Sequence, residues 1–129
     1  MNKDNRRVVI TGLGVISPIG NDVETFEKKL MAGTCGISEL DFSETPEFRG
    51  INVKVAAIVK DFNPAEHGLT PHQVRRTDRF AQYALAATKQ ALEMSGLKSG
   101  VNIEPERLGV YIGSGSGGME TFIKQTRVM

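Results

Sequence analysis

The stretch RVVITGLG, residues 7–14, decides the fold class of this chain. Val8, Val9 and Ile10 follow one another without a polar residue between them, and such a continuous β-branched run is typical of a strand covered on both faces. Strands of that kind belong to parallel sheets with helices packed against them. The pattern therefore predicts a buried strand over Arg7–Thr11, followed by a glycine-rich turn.

Outward from this strand, helix and strand signals alternate along the chain. The clearest helix signal spans Asp78–Ser95 and ends at Gly96. Its apolar stripe consists of Phe80, Ala84, Ala87, Ala91 and Met94. Before this helix, the pattern predicts a helix over 22–32, capped by Asn21 and ended by Gly33, and a strand over Ile51–Val59. A turn follows at Asn63-Pro64, and a capping box at Thr70 and Gln73 marks the start of another helix. After it come a strand over Arg107–Ser114 and a helix from Met119 to about Arg127. This order predicts an α/β layered fold with helices crossing over a largely parallel sheet.

The composition is typical of one soluble globular domain. The chain has 129 residues, of which 40% are hydrophobic and 24% charged, and this excludes a disordered chain. Sixteen basic and 15 acidic residues leave a net charge of +1, so no basic field favours nucleic acid. The single cysteine excludes an internal disulfide framework. No signal peptide or membrane-spanning run is apparent, so we expect a cytoplasmic protein that binds neither nucleic acid nor membranes.

Two glycine-rich turns invite comparison with dinucleotide-binding loops. Gly113, Gly115 and Gly118 fit the G-x-G-x-x-G spacing that places a pyrophosphate at a helix N-terminus. That motif also needs an acidic residue about 20 residues further on to hold a ribose, and the chain ends first. The earlier turn, with Gly12 and Gly14, lacks the third glycine. We favour tight turns and close backbone contact as the role of these glycines, with nucleotide binding as the alternative.

Reactive side chains are few and scattered. Cys35 follows the predicted helix over 22–32, at the negative end of the helix dipole, which disfavours a thiolate nucleophile. A glycine and a proline separate His67 from His72, and this spacing predicts surface or turn residues rather than metal ligands. The residues by themselves therefore specify no reaction.

Arginines cluster at one place in the chain. Arg75, Arg76 and Arg79 lie close together, with Asp78 among them. One interpretation is a solvated helix face with an internal ion pair to Asp78. The other is a docking surface for an acidic partner. The spacing leaves both open.

Five motifs, in the right order, resemble the β-ketoacyl-[acyl-carrier-protein] synthases, the condensing enzymes of fatty-acid synthesis. They cover essentially the whole chain, and the nearest resemblance is to the elongating type II enzymes of that family. The motifs are RRVVITGLGVISPIG at 6–20, AGTCGI at 32–37, KDFN at 60–63, RRTDRF at 75–80 and GSGSGG at 113–118.

The resemblance implies a thiolase-like fold of two duplicated α/β halves in five layers, a homodimer, and no cofactor or metal. It implies decarboxylative Claisen condensation between an acyl group on a cysteine and malonyl-acyl carrier protein. That cysteine and two histidines are expected beyond Met129, so residues 1–129 are expected to form the N-terminal part of the first half, with no second domain and no activity in isolation. Cys35 matches a small-residue loop position of the family, and His67 and His72 match neither catalytic histidine.

The resemblance also implies two sites on this chain. Arg75 and Arg76 are expected to help dock the acyl carrier protein, which is strongly acidic. The turn that borders the acyl chain near the dimer contact is expected to contain Ser114, Gly115, Ser116, Gly117 and Met119. Ser116 departs from the larger apolar residue often found at its position, which leaves room in the pocket. A standalone module that binds a nucleotide or an acidic protein remains the alternative function.

Overall fold

The computed structural model describes residues 7–41, 50 and 52–128. Its elements are α1 (Val23–Met31), β1 (Ser38–Glu39), β2 (Val55–Ala56), α2 (Pro71–Arg76), α3 (Arg79–Ser95), a short 3-10 turn (Pro105–Arg107) and α4 (Met119–Thr126). All four helices were predicted from the sequence, to within a few residues. No helix within the described ranges combines the length and the apolarity that a membrane span requires.

The long helix α3 is the centre of the structure. Ala86, on this helix, is completely buried, and a small core of Phe62 and Leu69 packs with it. The helix ends at Gly96, whose φ of 66° is the left-handed conformation typical of a glycine after a helix. The predicted apolar stripe is wrong at its two ends, because Phe80 and Met94 are exposed.

Residues 12–15 run along α3, and the segment predicted as a strand over Arg7–Thr11 does not form one. A Cβ atom on Gly14 would lie 2.7 Å from the carbonyl carbon of Ala87, and one on Gly12 would meet the carbonyl oxygen of Ala91, one helical turn further on. Between these contacts, Val15 N donates to Gln90 Oε1 at 3.0 Å. Two extended residues rise about 6.6 Å and four helical residues about 6 Å, so each step of Gly-x-Gly matches one turn of the helix. The two glycines therefore serve close backbone contact, as the sequence predicts.

The predicted parallel sheet is wrong for the described residues. The sheet there has two antiparallel strands, in which Ser38 pairs with Ala56 and Glu39 with Val55. The strand predicted over Ile51–Val59 is thus reduced to two residues, and Ile51 lies outside the described ranges, as does most of the polar loop before it.

The segments predicted as strands over Arg7–Thr11 and Arg107–Ser114 pair with no strand in the described part of the chain. Val8 is 93% exposed and Tyr111 is 99% exposed. A strand needs a neighbour to satisfy its backbone groups and to cover its apolar side chains. Neither segment has such a neighbour among the described residues, which is why the β-branched pattern alone misleads.

The helix starts follow local capping chemistry. The Thr70–Gln73 capping box at the start of α2 is confirmed, with both reciprocal hydrogen bonds present. At α1 the predicted cap Asn21 is wrong, because Asp22 accepts the hydrogen bond from Thr25 N at 2.7 Å. The Asn21 side chain donates instead to Lys60 O at 2.8 Å, which fixes the start of α1 against the segment that leads to the core.

Candidate functional site

The arginine cluster lies at the corner between α2 and α3. Arg75 and Arg76 occupy the last turn of α2 and are both exposed. Gln82 closes the corner from α3, because its buried amide donates to Val74 O at 3.2 Å and to Thr77 O at 2.8 Å. These bonds satisfy carbonyl groups that the end of a helix leaves free. The two arginines therefore project from a well-supported corner.

Phe62 forms the floor beside this corner. Its ring stacks on His67 with centroids 5.0 Å apart and meets Tyr83 edge-on at 4.8 Å. The Arg79 guanidinium lies over the same ring, 5.6 Å from the centroid, within the range of a cation–π interaction. His67 lies in the turn over 64–68, as predicted, and is half-buried by its packing on Phe62, whereas His72 is exposed.

Asp78 connects the corner to α4. One of its carboxylate oxygens accepts a hydrogen bond from Thr121 N at 3.0 Å, and the other accepts from the Thr121 hydroxyl. The hydrogen bonds from the Thr121 hydroxyl and then its amide lower the pKa of Asp78 below its ordinary value. Among the described residues no ion pair joins Asp78 to the arginines, so the internal pairing considered from sequence does not form.

A groove of about 760 Å³ lies between the corner and α4. Four basic and two acidic side chains line it, which makes it positive on balance. The acidic Glu120 is neutralised in part by Lys124, one turn away at 2.7 Å. The charged lining residues are Arg75, Arg76, Arg79, Lys124, Asp78 and Glu120.

The glycine-rich turn leads directly into α4. Ser114 Oγ accepts from Gly117 N at 3.1 Å, and Gly117 has a φ of 63°, a conformation that favours glycine. Ser116 and Met119 are exposed here. The Asp78 carboxylate occupies the N-terminus of α4, where a pyrophosphate would have to bind, and this argues against the dinucleotide interpretation.

The two predicted sites are connected through α4, although no residue of the glycine-rich turn lines the groove itself. The turn that contains Ser114, Gly115, Ser116, Gly117 and Met119 enters a helix that borders the same groove as Arg75 and Arg76. The Asp78–Thr121 contact was not predicted, because the two residues are 43 positions apart in the sequence and no motif pairs them. The roles of both sites remain predictions.

The remaining reactive groups lie apart from this groove. Cys35 is exposed after α1, with its thiol 4.0 Å from Ile37 O. Within the described ranges, no three His, Cys, Asp or Glu side chains are grouped so that they could hold a metal ion.

Comparison with known proteins identifies the family. Residues 5–128 match the family model described as beta-ketoacyl synthase, N-terminal domain. This chain belongs to the β-ketoacyl synthase family. The resemblance seen in the five motifs is therefore confirmed.

Relatives of this β-ketoacyl synthase chain include two bacterial 3-oxoacyl-[acyl-carrier-protein] synthases. It is 43% identical over 118 residues to 3-oxoacyl-[acyl-carrier-protein] synthase 2 of Staphylococcus aureus (strain COL), a match that covers 92% of this chain and 27% of the relative. It is 46% identical over 116 residues to the enzyme of the same name from Vibrio cholerae, covering 89% and 27%. The chain thus spans 27% of the length of these relatives.

The fold of this synthase chain is also similar to a solved ketosynthase structure. The ishigamide ketosynthase/chain length factor matches with a TM-score of 0.61 and 36% identity, over 72% of this chain and 22% of that one. The described helices and connecting segments thus have a ketosynthase-like arrangement, although the sheet among them has two strands.

Proposed function

We propose that this chain is the N-terminal part of the first half of an elongating β-ketoacyl-[acyl-carrier-protein] synthase. The observation that carries the proposal is the 43% identity to 3-oxoacyl-[acyl-carrier-protein] synthase 2 over 92% of the chain. In the proposed reaction an acyl group is held as a thioester on a cysteine. The malonyl thioester loses CO₂, its α-carbon attacks the acyl carbonyl, and the cysteine sulfur leaves as a thiolate.

The 129 residues contribute scaffold and binding surfaces rather than the reacting groups. Exposed Cys35 lies after the end of α1, outside the groove, and the family resemblance assigns the nucleophile and both histidines elsewhere. We therefore expect no condensation by the 129-residue chain alone. The whole enzyme is proposed to be a cytoplasmic homodimer with the complete five-layered thiolase-like fold.

Arg75 and Arg76 are proposed to dock the acyl carrier protein. Both are exposed, both lie on a corner held by Gln82, and they line a groove with an excess of positive charge. Such a surface increases the rate at which an acidic partner associates, and this increase becomes smaller as salt is added. The turn over 114–119 is proposed to border the acyl chain and the dimer contact, where the small side chain of Ser116 leaves space.

The docking role is testable in a chimera, in which residues 5–128 of this chain replace the matching region of the Vibrio cholerae enzyme. Reversing both charges, with Arg75→Glu and Arg76→Glu, is expected to raise the KM for the carrier substrate about tenfold, or roughly 0.7 kcal/mol per charge. A small thioester substrate should be spared. The matched control reverses Lys28 and Lys29, two adjacent exposed lysines on the last turn of α1.

Two results would contradict the docking role. Equal loss with the carrier and the small thioester would mean that the arginines are structural. An equal rise in KM from the lysine control would mean that overall charge, rather than the corner, governs the encounter.

A further inference from the structure

Asp78 lies next to the N-termini of both α3 and α4, and its carboxylate accepts a hydrogen bond from the backbone of α4. Asp78 is the N-cap residue of α3, yet its side chain makes no capping hydrogen bond to that helix. The N-cap residue of α4 is Gly118, which has no side chain with which to cap. Asp78 accepts from the backbone amide of Thr121, the third residue of α4, and this is the amide that an N-cap side chain ordinarily satisfies. Asp78 thus caps α4 from 43 residues earlier in the chain.

The contact fixes orientation as well as distance. Each carboxylate oxygen takes a separate donor of Thr121, the amide and the hydroxyl, so rotation of α4 would break at least one of the two bonds. A Cβ on Gly118 would lie 3.2 Å from Asp78 Oδ2, which shows how closely the carboxylate approaches the backbone of the turn. Negative charge at this end of a helix is also favoured by the helix dipole.

The same residue lies next to the arginine corner. Asp78 follows Arg76 by two positions, and Gln82 ties the end of α2 to α3. The residue just before α4 is the last glycine of the turn over 114–119. A displacement of α4 would therefore move the turn relative to the corner.

We propose that Asp78 is a positioning residue that holds α4, and with it the turn over Ser114–Met119, in register with the corner that carries Arg75 and Arg76. Through this contact it sets which acyl-chain lengths the synthase accepts. The selectivity part rests on the proposed function, whereas the capping of α4 does not.

Amide hydrogen exchange of the 129-residue chain tests the capping directly. Asp78→Ala is expected to accelerate exchange at the first turn of α4 about fivefold or more, the usual cost of a lost cap. Asp22→Ala is the matched control, since Asp22 caps α1 with the same chemistry. It should accelerate exchange at Thr25 and leave α4 unchanged. Equal α4 exchange in wild type and Asp78→Ala would overturn the proposal.

Acyl-length selectivity of the chimera tests the consequence. Asp78→Ala should change the ratio of kcat/KM between long and short acyl substrates by roughly threefold or more. Asp22→Ala should change kcat/KM by the same factor at every acyl-chain length. Thr121→Val removes the hydroxyl donor and should reproduce part of the change, and Thr121→Ser, which keeps it, should restore the wild-type profile. An unchanged profile in Asp78→Ala would refute the positioning role.

The two measurements separate the possible failures. If the chimera with the unaltered sequence fails to condense, the proposed function is wrong and the selectivity claim fails with it, while exchange still decides whether Asp78 caps α4. If exchange at α4 responds and the length profile does not, Asp78 only stabilises the helix.

Discussion

Replacing Gly14 by alanine should strongly destabilise this chain, although alanine is a small residue. The added Cβ would lie 2.7 Å from the carbonyl carbon of Ala87, and its carbonyl oxygen is nearer still. Both atoms belong to the backbone of α3, the central helix, so no side chain is able to rotate away. The segment over residues 12–15 would have to move off the helix.

The magnitude follows from the contacts on either side of Gly14. Leu13 N donates to Met94 Sδ at 3.3 Å, and Val15 N donates to Gln90 Oε1 at 3.0 Å. The bond to Gln90 contributes about 1 kcal/mol and the weak bond to the Met94 sulfur adds little, whereas overpacking a tight contact costs about 1–3 kcal/mol. We therefore expect the free energy of unfolding to fall by about 2–4 kcal/mol, a large part of the stability of a small domain.

Urea unfolding followed by far-UV circular dichroism measures this loss. Gly113→Ala is the matched control, because a Cβ at Gly113 meets no atom within 4 Å, and it should change the unfolding free energy by less than about 0.5 kcal/mol. Equal effects of the two substitutions would refute the close packing of Gly14 on α3. A loss at Gly14 with no change at Gly113 would support it.

Three further expectations concern single side chains. Gln82→Met should lower the free energy of unfolding by about 2 kcal/mol, because the half-buried carbonyl groups of Val74 and Thr77 lose their donor. Exposed Gln125→Met should be nearly neutral in the same urea titration. The lowered pKa values of Asp22 and Asp78 mean that their carboxylates stabilise the folded chain above the ordinary carboxyl pKa. This contribution to the free energy of unfolding should disappear as pH falls below about 4. When stability is followed during titration with acid, Asp78→Asn should therefore lose less of it than the unaltered chain. In the chimera, Ser116→Phe should shift kcat/KM toward shorter acyl chains; an unchanged length profile would show that Ser116 does not contact the acyl pocket.

Local signals explain why the helices were predictable. The capping box at Thr70–Gln73, the proline that follows Thr70, and Gly96 after α3 each act within one turn of chain. Such interactions depend on residues three or four apart, which the sequence displays directly. The motif at 75–80 likewise located the corner that borders the groove.

Long-range pairing explains what the sequence could not predict. Val8–Ile10 and Val110–Ile112 carry β-branched residues, but a strand forms only where another strand supplies hydrogen bonds, and none does so among the described residues. Gln82 looks like a surface residue in a helical pattern, yet it is buried because it serves the carbonyls at the end of α2. The Asp78–Thr121 contact spans 43 positions, a separation at which sequence periodicity carries no information.

Condensation by the chimera tests the central claim most directly. Purified chimera, with residues 5–128 in place of the matching region of the Vibrio cholerae enzyme, would be supplied with acyl and malonyl carrier proteins, and formation of the 3-oxoacyl carrier would be measured beside the 129-residue chain alone. We expect turnover by the chimera and none by the isolated chain. A chimera that folds and loads the acyl group but forms no carbon–carbon bond would contradict the claim, as would turnover by the isolated chain that disappears in Cys35→Ala.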